Sequence, residues 1–385
     1  MRKPIPPASA LTSADVLEYS TALLQEYLNF VAHSGARWQT CDIWRVLLAA
    51  ASQASTIEAV CGDWRQGPDA NTVRQVLREC LANDRLDVME EALNQALVAR
   101  LPRWLRRQSL EVAFDLHDEA YYGRAEAEAE FVCRGEAQKG TTRFYRGATA
   151  YVLGRGVRFT LALRFVRKGE RVAEVAKALY QRVAASGLRL RRCYFDRGFL
   201  SVELLQCLQA QRVSAIMAVS LGIGRRGIKA LCQGRRSYRT VHTFHNPQQG
   251  QVTIPLAVVR TRERRRQGKR RAMWMVFATL RCRAEPRVVR EMYRRRFGIE
   301  SGYRLIERMR IRTTSPCSAW HFLFMGLAVL LLTCWNLLQW RHLQQKRRGR
   351  RILREGPFRL HRFLRYLEHA IDQCFILSST LVTDT

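Results

Sequence analysis

Apolar positions in the first hundred residues return at helical spacing. In ADVLEYSTALLQEYLNFVA, residues Leu17, Leu23, Leu24, Tyr27, Leu28 and Val31 follow a period near 3.6, which gathers side chains on one face of an α-helix. DIWRVLLAAASQASTIEAVCGDW predicts one or two more helices. Gly67-Pro68-Asp69 marks a turn and a helix start, and the helix after it, ANTVRQVLRECL, exposes Asn71, Arg74, Gln75 and Arg78. From residue 109 the period changes to two. Strands are expected at 109–116, 141–153 and 157–166, the last alternating Phe159, Leu161, Leu163 and Phe165 with Arg158, Thr160, Ala162 and Arg164. A helix (171–186), a strand (188–196), a helix (201–211) and a strand (214–220) follow. Residues 221–285 interrupt this order with Gly- and Arg-rich loops and two strand candidates, 251–260 and 272–280, where Trp274 reads as core. Helices resume at Pro286, a favoured first helical residue, and a basic helix at 357–376 completes the chain.

FLFMGLAVLLLTCW, Phe322 to Trp335, is apolar throughout and then broken by Asn336 and Gln339. A run this short is more often a buried core helix than a membrane span. No CxxC pair occurs among the 11 cysteines, which argues against a zinc module or a disulfide framework. With no apolar leader segment at the start, a reducing cytosol is the expected location.

Charge changes the picture most. The 385 residues carry a formal net charge of +32, which calls for an anionic partner. Arginine dominates, and guanidinium forks suit phosphate oxygens. The basic residues cluster in TRERRRQGKRR (261–271) and in KRRGRR (346–351). Nucleic acid is the first partner expected, with an anionic membrane surface a distant alternative. The helices around Gly67 resemble a helix-turn-helix, which would suit recognition of DNA ends.

Asp115 and Asp196 both stand at the C-terminal end of an expected strand, where sites form in α/β sheets. Asp118 and Glu119 are rivals to Asp115; Asp118 would be a supporting group, and His117 a loop residue. The order β-β-β-α-β-α-β resembles a ribonuclease-H-like mixed sheet with flanking helices. There strand four lies parallel beside strand one, so the two aspartates would be neighbours. Paired carboxylates repel unless a cation lies between them, and Mg²⁺ or Mn²⁺ suits hard oxygen ligands. In YRRRFGIESGYRLIERMR, Tyr293, Arg296, Glu300, Arg304 and Glu307 share one helical face. Glu300 is the candidate third carboxylate of a two-metal site.

Three blocks, FDLHDEAYYG (114–123), YFDRGFLSVELL (194–205) and YRRRFGIESGYRLIERMRIRTTS (293–315), carry a specific likeness. The chain resembles the DDE transposases of prokaryotic insertion sequences, whose ribonuclease-H-like core holds a β-rich insertion before the glutamate. Their signature is Tyr, two residues, Arg, three residues, Glu, six residues, Lys. Tyr293, Arg296 and Glu300 match in register, and Glu307 replaces the lysine. The resemblance implies a catalytic, metal-binding triad of Asp115, Asp196 and Glu300. It implies DNA contacts from Tyr293 and Arg296, from Arg304 or Arg308 in the lysine's place, and from Arg264, Arg265, Arg266, Lys269 and Arg270 in the insertion. It also implies a homo-oligomer, at least a dimer, on paired DNA ends.

The expected organisation is an N-terminal helical domain (1–108), the first part of the core (109–220), a β-rich basic insertion (221–285), completion of the core with the Glu-bearing helix (286–340) and a basic helical tail (341–385). Two other functions stay open: a ribonuclease-H-like nuclease without strand transfer, and a DNA-binding protein without catalysis, which Glu307 keeps in play.

Overall fold

Why nine strands form one continuous sheet follows from how each segment finds a neighbour for its backbone. The computed structural model describes residues 10–28, 37–81, 85–124, 130–138, 140–154, 156–222, 227–264, 270–347, 350–353 and 356–376. Six helices come first: α1 (Ser13–Tyr27), α2 (Thr40–Ser52), α3 (Ile57–Gly62), α4 (Ala70–Cys80), α5 (Leu86–Ala99) and the single turn α6 (Arg103–Arg106). The sheet-forming part runs β1 (Ser109–Ala120), β2 (Val132–Gln138), β3 (Thr141–Val152), β4 (Thr160–Val166), α7 (Val172–Ala185), β5 (Arg189–Phe195), α8 (Val202–Ala210) and β6 (Ala215–Val219). It continues through β7 (Tyr238–Asn246), β8 (Gly250–Arg264) and β9 (Arg270–Leu280). Then come α9 (Pro286–Arg294), α10 (Phe297–Ile306), α11 (Ser318–His342), a hairpin of β10 (Gln344–Arg347) and β11 (Arg350–Leu353), and α12 (Leu360–Phe375).

The strand order is β2-β3-β1-β5-β6-β9-β8-β7, with β4 also paired to β3. β1 pairs parallel with β5, and β5 with β6; the other pairings are antiparallel. This is the ribonuclease-H-like arrangement expected from the sequence. Two strands of this sheet were not anticipated, nor was the separate β10–β11 hairpin. In β2, only Val132 and Cys133 are buried before the strand turns polar, so it shows no alternation; pairing with β3 makes it a strand. β7 likewise mixes polar and half-buried residues. The segment after β6 does not leave the sheet: β9 returns antiparallel to β6, and β8 and β7 extend the same layer.

α7 and α8 cover one face of the sheet, packing on Val112, Phe114, Cys193 and Phe195. The other face meets α9 and α10 through Ala113, Tyr151, Tyr194 and Phe277. α11 is apolar on all sides, which requires burial on all sides. Every residue from Ser318 to Trp340 is buried, so although this helix is long and apolar enough to cross a membrane, it lies inside the protein. The N-terminal helices and α12 form its sheath. Close approach depends on two glycines: a Cβ on Gly147 would strike Met325, and one on Gly326 would meet Leu93 at 2.5 Å.

The outer edge of β4 would expose unpaired backbone groups, and α5 supplies partners. Asn94 accepts from the Leu163 N–H at 2.7 Å and donates to the Leu163 carbonyl at 2.8 Å. One turn earlier, Glu90 accepts from the Phe165 N–H at 2.6 Å and pairs with Arg164 and Arg182. Burial raises the Glu90 carboxyl above its ordinary value, against the pull of that N–H and the two arginines. Asn94→Leu leaves the Leu163 backbone groups buried without partners. It is expected to lower stability by about 1–3 kcal/mol, read as a fall in the urea midpoint with an unchanged slope.

Candidate active site

Asp115 and Asp196 meet where two strands part. The last parallel pair of β1 and β5 is Phe114 with Phe195. Their rings stack at 4.5 Å on the α7–α8 side, and the next residue of each strand is an aspartate turned to the opposite face. Contrary to expectation, β1 does not end at Asp115. It runs on to Ala120 because β3 continues to pair with it as far as Phe144. What ends at Asp115 is the parallel ladder, and that opens the space beside it. Asp196 lies just beyond β5, at the start of a single 3₁₀ turn.

Glu300 joins them from α10. The segment expected as one helix is broken: α9 stops at Arg294 and α10 starts at Phe297. Arg296 lies in the turn between them and is buried, at 6% exposure. Its Nη1 is 3.3 Å from Asp115 Oδ1, and its Nη2 is 3.4 Å from Asp196 Oδ1 and 3.6 Å from Glu300 Oε1. One guanidinium thus touches all three carboxylates. Arg296 Nε and Nη1 have no hydrogen-bond acceptor, so the Asp115 contact is an ion pair without hydrogen-bond geometry. Burial pushes the Asp115 carboxyl up to about 6; Arg296 opposes this, while Asp196 and Glu300 add to it.

Tyr293 and Arg296 were expected at the DNA surface, and both lie inside. The Tyr293 hydroxyl donates to the Phe195 carbonyl at 3.2 Å and approaches Asp196 Oδ1 at 3.4 Å. Burial raises its phenol above the usual value. It braces the Asp196 strand end, and the Arg296 guanidinium lies 5.6 Å above its ring. Arg304 and Arg308 are exposed and have no ion-pair partner among the described residues. Arg264 and Arg270 pair across the outer end of the β8–β9 ladder; Arg265, Arg266 and Lys269 lie outside the described residues. Asp118 points to the other side of β1, where Arg146 grips it at 2.6 and 2.8 Å.

Tyr303 escaped sequence reading, and His117 and Glu119, both named there, have roles it did not foresee. Tyr303, one turn after Glu300, hydrogen-bonds the Thr149 hydroxyl at 2.6 Å and reaches the Asp115 carbonyl at 3.4 Å. This ties α10 to β3 and β1. His117 is a strand residue rather than a loop residue; it stacks on Tyr303 at 4.8 Å and its Nε2 is 3.0 Å from Glu307 Oε1. Glu119 is buried, held by His321 at 2.7 Å and Arg310 at 2.8 Å. Asp115, His117 and Glu119 alternate along β1 toward α10 and α11. That spacing was the one available clue, but polar residues in a strand read as a loop.

Three acids against one guanidinium leave an excess of two negative charges when all are ionised. By donor chemistry this all-oxygen set fits a hard divalent cation such as Mg²⁺, although no three acid, histidine or cysteine side chains among the described residues form a ready metal cage. A ribonuclease-H-like sheet with acids at the end of its parallel ladder defines a class of proteins that act on the phosphodiester backbone. Within it, residues 158–337 match the transposase DDE domain family. The match takes in Asp196 and Glu300 but begins after Asp115, whose place rests on geometry. None of the curated proteins matches the chain.

If Tyr303 locks α10 onto the sheet through Thr149, the two residues act as one unit. Tyr303→Phe and Thr149→Val are each expected to cost about 1 kcal/mol, and the double variant less than their sum. A double-mutant cycle of urea melts measures the coupling; strictly additive costs would show no lock.

Proposed function

We propose that this transposase hydrolyses a phosphodiester at the ends of its element and joins the resulting 3′-hydroxyl to target DNA, with Asp115, Asp196 and Glu300 as the catalytic triad. The observation that carries the reading is the convergence of the three carboxylates on the Arg296 guanidinium. They would hold Mg²⁺ or Mn²⁺, which when bound activates the attacking oxygen and stabilises the leaving one in an in-line displacement. Asp115, buried and fixed through its strand, sets the inner wall of the site. Asp196 and Glu300 are more exposed, with side chains 36% and 42% accessible, and face the side from which DNA arrives. Arg296, buried between the three acids, offsets part of their charge in the resting protein.

DNA contact fits the surroundings. Glu307, at the lysine position, is engaged with His117 and Arg310, while Arg304 and Arg308 are exposed and take over the phosphate contact. The basic β8–β9 hairpin lies near the far end of the sheet and supplies a further contact. A cleft of about 830 Å³ between α4 and the segment after α10 is lined by Asn71, Arg74, Arg78 and Arg312, in line with end recognition by the N-terminal helices. Paired ends require at least two protomers.

Glu300→Ala and Asp196→Ala are expected to cut Mg²⁺-dependent nicking and strand transfer by more than about a hundredfold, beyond the cost of losing a merely supporting group at a metal site, with end binding retained. Joining at the wild-type rate by the Glu300→Ala protein would refute the triad. Pre-nicked ends supplied with a plasmid target separate a transposase from a nuclease: a protein that cuts but never joins them is a nuclease.

A further inference from the structure

The opposite end of β1 carries a second basic surface of different character. A cleft of about 750 Å³ opens between α6, the residues leading into β1 and the last turns of α11. Its floor is aromatic. Trp104 packs on Trp340 with ring centroids 4.4 Å apart, and the Trp340 indole donates to the Gly156 carbonyl at 3.1 Å. Its rim is cationic. Arg100 is already committed, paired with Glu26 at 2.7 Å and seated over the Tyr19 ring. Arg103, Arg107 and Arg341 are exposed lining residues whose side chains have no ion-pair or hydrogen-bond partner among the described residues. No carboxylate lines the cleft.

Uncommitted guanidinium groups above an aromatic floor match a phosphate backbone together with the face of a base. Size narrows the choice. A cleft of this volume accepts a ligand of small-molecule dimensions, whereas the bases of a duplex are stacked on one another and offer no free face. We propose that this cleft binds one or two unpaired nucleotides of a DNA strand, with phosphates on Arg103, Arg107 and Arg341 and a base against Trp104. The inference rests on the DNA-acting reading above but not on the triad. Ser109 begins β1 and Asp115 is six residues further along, about 20 Å at ~3.3 Å per residue. The cleft would therefore engage a strand about 20 Å from the cut bond, at ~3.3 Å per residue of β1, and hold single-stranded DNA flanking the reaction.

The probe is a fluorescent deoxythymidylate dodecamer, titrated with full-length protein in EDTA at several salt concentrations and read by anisotropy. Trp104→Ala is expected to weaken binding on the order of tenfold, while Trp104→Phe keeps most of the affinity. Arg103→Ala with Arg107→Ala, both on the surface, is expected to lower the slope of log affinity against log salt by about 1.4, the ~0.7 per phosphate contact of single strands. The proposal is overturned if the arginine pair leaves the slope unchanged, if Trp104→Ala binds as wild type, or if Trp104→Phe loses as much as Trp104→Ala. A mononucleotide that binds as tightly as the dodecamer would assign the cleft to a small ligand and also overturn it. Nicking assays on the same variants keep the two readings apart. Loss of strand binding with nicking intact supports the cleft; loss of nicking in Glu300→Ala with strand binding intact supports the triad.

Discussion

Three carboxylates stand within 3.6 Å of one buried guanidinium, and the architecture around them is arranged to tolerate that. Like charges brought together at the edge of a low-dielectric core repel, and burial makes Asp115 harder to ionise. Arg296 answers part of the cost, but one positive charge cannot balance three acids, and Asp115 is still pushed up to about 6. Removing one partner of a buried ion pair generally costs about 3–5 kcal/mol because the remaining charge is left uncompensated. Arg296 is therefore at once a stabilising centre and a measure of the site's appetite for more positive charge.

Placing four charged groups so closely needs rigid supports, and each comes from a different part of the chain. The Phe114–Phe195 stack anchors the ends of the parallel ladder from below. Tyr293 holds the end of β5, and Tyr303 holds α10 against β1 and β3. Behind them, α11 gives β3 and β4 a fully buried, mostly apolar backing, and the N-terminal helices shield that helix from water. The helical region is thus part of the same core that steadies the site, besides presenting its own basic cleft.

Much of this was legible beforehand. The change of period at residue 109, the aspartates following apolar strand residues and the burial of the Phe322 run follow from local pattern, whereas the parallel placement of the first strand beside the one before Asp196 followed from the resemblance to a ribonuclease-H-like sheet. β2 and β7 were illegible because their side chains are largely polar or half-buried; their strand conformation comes from the neighbouring ladder. The break between α9 and α10 carries no Gly or Pro signal before residue 297. Helical spacing correctly grouped Arg296 with Glu300 but assigned Arg296 and Tyr293 outward.

The sequence by itself determined most of the elements and the strongly basic character that calls for an anionic partner, because periodicity, turn chemistry and charge are written locally, and the resemblance of its three blocks to a known family singled out the clustered acids. Only the tertiary structure decided that Arg296 turns inward to meet all three acids, that Tyr293 and Tyr303 are supports, and that Trp104 and Trp340, far apart in sequence, share one cleft. Those outcomes depend on which polar groups lose water together when distant segments pack, and no local pattern contains that information.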